Sequence, residues 1–189
     1  MDLLKKIASP EQVPAGGAAA ALSTGLAIAL LHKVAFMATE RCQDEQKKND
    51  LLGMRKEIDR LMHHSQRLVE HVPDSVLRFS RSRNSGDAAE KQTRFVEFIT
   101  VTMEIMEKSY STLYWIEQVN RLVPREMGTH LKVACELLLG AMNGTVHVVS
   151  EPIRLIKDPQ RRGHYLKNLN KLHQDSEKKY HGVIGQLAQ

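Results

Sequence analysis

The sequence predicts an all-α protein, a helical bundle of long antiparallel helices around a buried central helix rich in Ala and Gly. Aromatic residues make up only 5% of the chain, which favours helices because sheets are enriched in aromatic and β-branched residues. Apolar residues recur at helical spacing, and no stretch shows the alternation of a strand. A chain of 189 residues is long enough for one core, so we expect a single domain over residues 1–189.

The central helix is predicted from a stretch that has no charged residue between Glu11 and Lys33. A proline-bounded loop leads to Gly16 and Gly17, after which Ala and Leu continue the helix towards Gln43. The free N–H groups and the positive dipole end at such a helix start favour an anion. The glycine pair therefore either cradles an anionic or planar ligand or simply allows a tight entry into the buried helix.

Amphipathic stripes, capping residues and prolines predict the other helices in order. Ser9-Pro10 ends a short N-terminal helix, and Asp87 caps a long helix after an exposed loop at 81–87. Pro73 is expected in the first turn of a short separate helix, and Pro152 is expected to break or kink the helix that contains it. The predicted helices span residues 1–8, 18–43, 51–70, 74–80, 88–122, 129–150 and 160–182.

The net charge of +5 is concentrated in residues 154–181, which carry eight Lys or Arg against three Asp or Glu. Such a segment either faces solvent or attracts an anionic small molecule. Nucleic acid is a disfavoured partner, because the aromatic residues on which single-stranded bases stack are scarce.

The residue types that serve metal and thiol chemistry form no recognised pattern. Cys42 and Cys135 are the only cysteines, and neither a C-x-x-C nor a Glu-x-x-His occurs, so no metal is expected. A reduced cytoplasmic protein is the simplest account of these cysteines and of an N-terminus without a basic, cleavable leader. The uncharged run is nearly long enough to cross a bilayer, but it begins with Pro and Gly and no second span follows. We therefore expect this run inside the protein and no membrane partner.

Two short motifs point to a family. Residues 14–22 (PAGGAAAAL), followed by 25–30 (GLAIAL), resemble the opening of the cyclodeaminase/cyclohydrolase family. That family includes the cyclodeaminase half of formiminotransferase-cyclodeaminase and stand-alone methenyltetrahydrofolate cyclohydrolases. Further on, residues 74–79 resemble its Asp-x-x-Ala-Phe segment, and 90–94 resemble its Glu-Lys-x-x-Arg. The resemblance implies an all-α fold and a homodimer.

The chain departs from the family pattern at several positions. Ala15 replaces a third Gly, Ile99 replaces a Gln, and Thr129-His130 replaces Ser-Asp. Residues 147–150 (HVVS) stand where the family has Asn-Val-x-x-Asn. These positions bear on whether the chemistry is retained, because the missing Asp is suited to acid/base work on a folate ring.

The resemblance also implies roles for five residues. Gly16, Gly17 and Arg94 are expected to bind the substrate, while Asp74 and His130 are expected to be catalytic. His130 can act as a base near neutral pH in the place of the missing Asp.

The resemblance implies a tetrahydrofolate derivative as substrate, with chemistry at the N5–N10 one-carbon bridge and no metal. The enzyme would be a formiminotetrahydrofolate cyclodeaminase or a methenyltetrahydrofolate cyclohydrolase. The alternative is a non-catalytic dimeric helical binding module that keeps the fold and has lost the chemistry. The basic C-terminal segment either attracts a polyglutamate tail or is only solvated.

Overall fold

The computed structural model describes residues 3–8, 15–83 and 86–188. Within them the chain forms six α-helices, one short 3₁₀ turn at Arg125–Met127 and no strand, so the all-α prediction is confirmed. The helices are α1 (Leu3–Ala8), α2 (Ala15–Arg41), α3 (Glu45–Ser82), α4 (Ala88–Asn120), α5 (Gly128–Arg154) and α6 (Pro159–Leu187). The predicted break at Ser9-Pro10 lies outside the described residues.

Helix α2 occupies the centre of the bundle, where it packs against α3, α4 and α5. Ile28 and Leu31 on its inner side are fully buried. Burial is one-sided, however, because the covering helices leave the outer side of α2 open, with Leu26 50% and Phe36 44% exposed. The uncharged stretch therefore supplies both a core face and an apolar surface.

The two glycines lie in the first turn of α2, not in a loop before it as the sequence suggested. A Cβ at Gly17 would come within 3.0 Å of Val72 Cγ1 on α3, and one at Gly16 within 3.0 Å of Val148 Cγ2 on α5. Real Cβ atoms rarely have so close a neighbour, so glycine here is what lets α2 approach both helices.

The contacts also fix the register between α2 and α5. Gly16 lies beside Val148, and further along a Cβ at Gly144 would be 3.7 Å from the Cβ of Ala20. Each step forward along α2 is therefore matched by a step back along α5, so the two helices are antiparallel.

Both prolines are accommodated inside helices, which corrects two predicted boundaries. Helix α3 continues through Pro73 to Ser82, and α5 continues through Pro152 to Arg154. A proline inside a helix costs about 3 kcal/mol. The neighbouring apolar residues Val72 and Ile153 are fully buried, so packing outweighs the local cost.

Helix starts are set by three aspartates. Asp87 caps α4 as predicted, accepting hydrogen bonds from the N–H groups of Ala89 at 2.8 Å and Glu90 at 3.2 Å. Asp44 and Asp158 cap α3 and α6 in the same way. Such caps each stabilise a helix by about 1 kcal/mol.

Helices α2 and α5 are long and apolar enough to cross a membrane by length and composition alone, over Gly16–Arg41 and Arg125–Arg154. Core helices of globular proteins have the same property, and here the two pack on each other in the bundle.

A charged cluster joins α4 to α6. The carboxylate of Glu117 accepts hydrogen bonds from Lys179, from Gln186 at 3.1 Å and from Arg121 at 3.1 Å. The bonds from Lys179 and Gln186 lower the pKa of Glu117 below its usual range. Because one carboxylate on α4 accepts hydrogen bonds from two side chains of α6, the cluster holds the two helices together.

We expect Gly17→Leu to lower the free energy of unfolding by about 1–3 kcal/mol, because the new side chain overpacks against Val72. Gly53→Leu is the matched control, since a Cβ at Gly53 would have no neighbour within 4 Å. Urea unfolding followed by circular dichroism measures both. Equal midpoints for the two variants would contradict the proposed close approach of α2 and α3.

The Glu117 cluster predicts an acid-sensitive contribution to stability. Its pKa is lowered on folding, so the contribution is complete above about pH 5 and is lost as pH falls through the folded-state value. Glu117→Gln should reduce the unfolding free energy at pH 7 by about 1–3 kcal/mol, with the difference from wild type shrinking in acid. Glu57→Gln, which touches only an exposed pair with Arg60, is the control. A difference that stays constant from neutral to acid pH would sink this prediction.

Candidate functional site

Four of the five predicted site residues lie at one end of the bundle. We call this the glycine end, the end where α2 and α4 begin and where α3 and α5 end. Gly16 and Gly17 open α2, Asp74 lies near the end of α3, and Arg94 lies near the start of α4. His130 lies near the start of α5, at the other end of the bundle. Val148, which lies beside Gly16, is about five helical turns further along α5 than His130, so His130 and Gly16 are about 27 Å apart along the helix axis.

Asp74 is exposed and faces away from the glycines. Val72, two residues earlier on α3, points at Gly17. Two residues correspond to about 200° around a helix, so Asp74 projects from the opposite side of α3. Within one subunit the structure therefore brings Asp74 to the glycine end but not into contact with the glycine pair.

Arg94 belongs to a cluster of guanidinium groups. Arg94 and Arg78 both donate at 2.9 Å to the carboxylate of Glu97, one to each oxygen. These two arginines and Arg81 line a cavity of about 210 Å³ that also contains Glu90. Because two arginines share one carboxylate, the cluster retains donors for the carboxylate or phosphate of a ligand.

A histidine–glutamate pair that sequence analysis did not single out lies between α3 and α4. His64 Nε2 is 3.1 Å from Glu104 Oε2, and Arg67 donates to His64 Nδ1 at 3.1 Å. An arginine can only donate, so His64 Nδ1 is the acceptor of that bond. Nε2 therefore carries the hydrogen and donates a hydrogen bond to Glu104. This arrangement fixes the orientation and the tautomer of the ring.

The His64–Glu104 pair separates two cavities of about 240 and 440 Å³. Arg78 lines the smaller one as well as the cavity at Arg94, so polar surface extends along the α3–α4 seam from the arginine cluster to Tyr165. His64 and Glu104 are 40 positions apart in the sequence. No local motif marks such a pair, which is why sequence analysis missed it.

His130 is half-buried on the side of α5 that faces α2. It lies about five whole turns from Val148, so both residues point to the same side of the helix. The antiparallel register places His130 level with Lys33 and Val34 of α2.

The buried cysteine, Cys135, offers no nucleophile. Burial raises the pKa of Cys135 to about 12, so the thiol stays protonated and unreactive. Cys42 donates to the backbone oxygen of Asp44 at 3.4 Å. Among the described residues, no group of three His, Cys, Asp or Glu side chains comes together as a metal site would require.

Comparison with known proteins identifies the same family that the short sequence motifs resemble. Residues 1–171 match the family described as Formiminotransferase-cyclodeaminase. No curated protein sequence matches the chain significantly.

A solved structure has the same fold. The crystal structure of formiminotetrahydrofolate cyclodeaminase from Thermotoga maritima superposes with a TM-score of 0.90 and covers 98% of this chain and 93% of that chain. The identity is 16%, so this likeness shows the fold alone. On the evidence of the match over residues 1–171, which includes the glycine opening, Asp74, Arg94 and His130, the chain belongs to the formiminotransferase-cyclodeaminase family.

Proposed function

We propose that the protein is a folate-dependent one-carbon enzyme that acts at the N5–N10 bridge of a tetrahydrofolate derivative. The observation that carries this proposal is the family match over residues 1–171, supported by the shared fold. The product of the reaction is methenyltetrahydrofolate in the cyclodeaminase direction, or formyltetrahydrofolate in the cyclohydrolase direction. The protein would act in the cytoplasm, in keeping with its unpaired cysteines.

The glycine end supplies the groups that such a substrate needs. The start of α2 presents backbone N–H groups beside Gly16, which is exposed and has no side chain to block a flat ring. The cavity lined by Arg78, Arg81 and Arg94 supplies guanidinium donors for the glutamate carboxylates of folate. A substrate with a planar head and an anionic tail is therefore the class that this end fits best.

Proton transfer is the chemistry that the side chains must provide. In the cyclohydrolase direction, water adds to the methenyl carbon and loses a proton to a base. The bond from that carbon to N5 then breaks and N5 takes up a proton. In the cyclodeaminase direction, N10 adds to the formimino carbon and loses its proton to a base. The bond from that carbon to the formimino nitrogen then breaks, and ammonia leaves with a proton from an acid. We assign His130 to this acid/base role, because an imidazole ring can both accept and donate a proton.

A non-catalytic binding module is the second candidate, and the observation that favours it is at Ile99. The family has a polar Gln there, whereas Ile99 is fully buried in the core between the helices. Where the family pattern has a polar side chain, this chain therefore has an apolar side chain that packs in the core. On this reading the glycine end binds a ligand without turning it over.

Methenyltetrahydrofolate absorbs in the near ultraviolet, so the decay of its absorbance on addition of protein tests turnover directly. We expect a protein-dependent decay that His130→Ala slows by about 10²-fold or more, since general acid/base catalysis contributes about 10²–10⁴-fold. A flat trace with folded protein, together with no ammonia from formiminotetrahydrofolate, would leave the binding module as the function. Decay at the wild-type rate in His130→Ala would remove His130 from the mechanism.

Arg94→Ala tests the assignment of the arginine cluster. Loss of one charge-assisted hydrogen bond to a substrate carboxylate should raise KM by roughly tenfold with little change in kcat. Arg60→Ala is the matched control, because Arg60 pairs only with Glu57 on the exposed side of α3. An unchanged KM in Arg94→Ala would place the carboxylates elsewhere.

A further inference from the structure

One cavity of the α3–α4 seam is not used by the proposed reaction. It has a volume of about 240 Å³ and extends between Arg67 and Arg78 of α3, and we call it the seam cavity. Its wall comes from α3 and α4 alone and contains two arginines and two histidines against one carboxylate, that of Glu104. Because cationic groups outnumber acidic ones, an anion is the class of ligand that the seam cavity attracts.

At one end of the seam cavity, Arg67 is held in a defined orientation. Arg67 donates to His64 Nδ1 at 3.1 Å, and His64 Nε2 donates to Glu104 at 3.1 Å. The imidazole ring therefore lies between the guanidinium and the carboxylate. In the part of the chain that the structure describes, Arg67 forms no direct ion pair. A guanidinium has more N–H donors than this one bond uses, so Arg67 keeps both charge and donors for a ligand.

The other end of the seam cavity is formed by Arg78, whose charge is only partly neutralised. Arg78 donates to one oxygen of Glu97 at 2.9 Å, and Arg94 donates to the other oxygen at 2.9 Å. One negative charge thus serves two guanidinium groups. Glu97 therefore orients Arg78 without satisfying it, and Arg78 can still bind an anion.

Between its two ends the seam cavity has an apolar wall. On α4, Val101 lies four residues after Glu97 and three before Glu104, so the three side chains share one side of the helix. On α3, Leu68 lines the same cavity. The two acids that orient the ends are seven residues apart, which is about 10 Å along α4. A ligand that reaches both ends is therefore elongated and apolar at its centre.

We propose that the seam cavity binds a small dicarboxylate, with one carboxylate on Arg67 and the other on Arg78. A planar carboxylate matches the paired N–H groups of a guanidinium. The hydrocarbon chain between the carboxylates lies over Leu68 and Val101, where contact removes apolar surface from water. His71 lies between the two arginines along α3 and lines the cavity. It has no hydrogen-bond partner among the described residues, so it supplies a further donor.

Other anions fit the seam cavity less well. A monocarboxylate or inorganic phosphate is too compact to reach both arginines and leaves one of them unused. A nucleic acid strand carries a charge at every nucleotide and needs cations along its length, whereas the middle of this cavity is apolar. Binding of a dicarboxylate here does not depend on folate chemistry, so it can be measured whether or not the protein turns over a folate.

Titration calorimetry of the whole chain with glutarate, butyrate and inorganic phosphate at constant ionic strength tests the ligand class. Glutarate should bind about tenfold more tightly than either other anion, since a second charge-assisted hydrogen bond contributes about that factor. Absence of glutarate binding would overturn the proposal. Equal affinity for all three anions would do so too, because the attraction would then be unspecific, as would tightest binding of phosphate.

Two arginine variants test the location of the ligand. Arg67→Ala should weaken glutarate binding by about tenfold. Arg81→Ala is the matched control, because Arg81 is an exposed arginine of the same helix that lines the cavity at Arg94 and not the seam cavity. It should bind glutarate like the wild type. Loss in Arg81→Ala alone, equal loss in both variants or loss in neither would overturn the seam cavity as the site.

His64 acts as a positioning residue for Arg67, and a pair of substitutions distinguishes this role from general packing. His64→Leu removes both hydrogen bonds and should weaken glutarate binding. His64→Gln should bind almost like the wild type, since its amide oxygen can accept from Arg67 while its N–H group donates to Glu104. Wild-type binding by His64→Leu, or equal weakening in both variants with unchanged circular dichroism, would refute the positioning role.

Discussion

The structure depends on the close approach of α2 to its neighbours. Gly17 and Gly16 leave just enough room for Val72 and Val148, and a larger side chain at either position would force the helices apart. Because α2 lies so close, Thr24 can reach Ser109 on α4 at 2.9 Å through a buried hydrogen bond. The hydroxyl groups also bond to backbone oxygens of their own helices, so their burial carries little cost. The position of the glycine end follows from this packing.

The composition of α2 is explained by the two surfaces that it serves. Its inner side packs against three helices and requires small and aliphatic residues. Its outer side is exposed and largely apolar, and between Ala15 and Glu40 it carries Lys33 as its one Lys, Arg, Asp or Glu. A helix that met only its own bundle would have a polar outer side. The uncharged stretch therefore supplies a core face on one side and an exposed apolar surface on the other.

In contrast to the largely apolar α2, the seam between α3 and α4 is rich in charged and polar side chains. Arg78 and Arg94 share Glu97, and His64 is held between Arg67 and Glu104. These contacts pre-orient side chains that would otherwise be mobile at the surface, which lowers the cost of ordering them when a ligand binds. The seam thus combines oriented donors with open cavities.

Much of the fold was accessible from local sequence. The apolar spacing predicted the helices, and Asp87 predicted the start of α4, because capping and periodicity act within a few residues. Pro73 was misleading for the opposite reason, since the burial of Val72 beside it is a property of the folded bundle. At the site, the glycine pair and Arg94 were found through short motifs. The His64–Glu104 pair was not, because it joins two helices far apart in sequence.

The sequence by itself determined the fold class, the order of the helices and the family, since these follow from local propensity and short motifs. Only the tertiary structure decided which side of each helix faces which neighbour. It turned Asp74 away from Gly17 and set His130 at the far end of α5. The physical reason is that the register between helices is fixed by side-chain packing between distant residues, which no local pattern records.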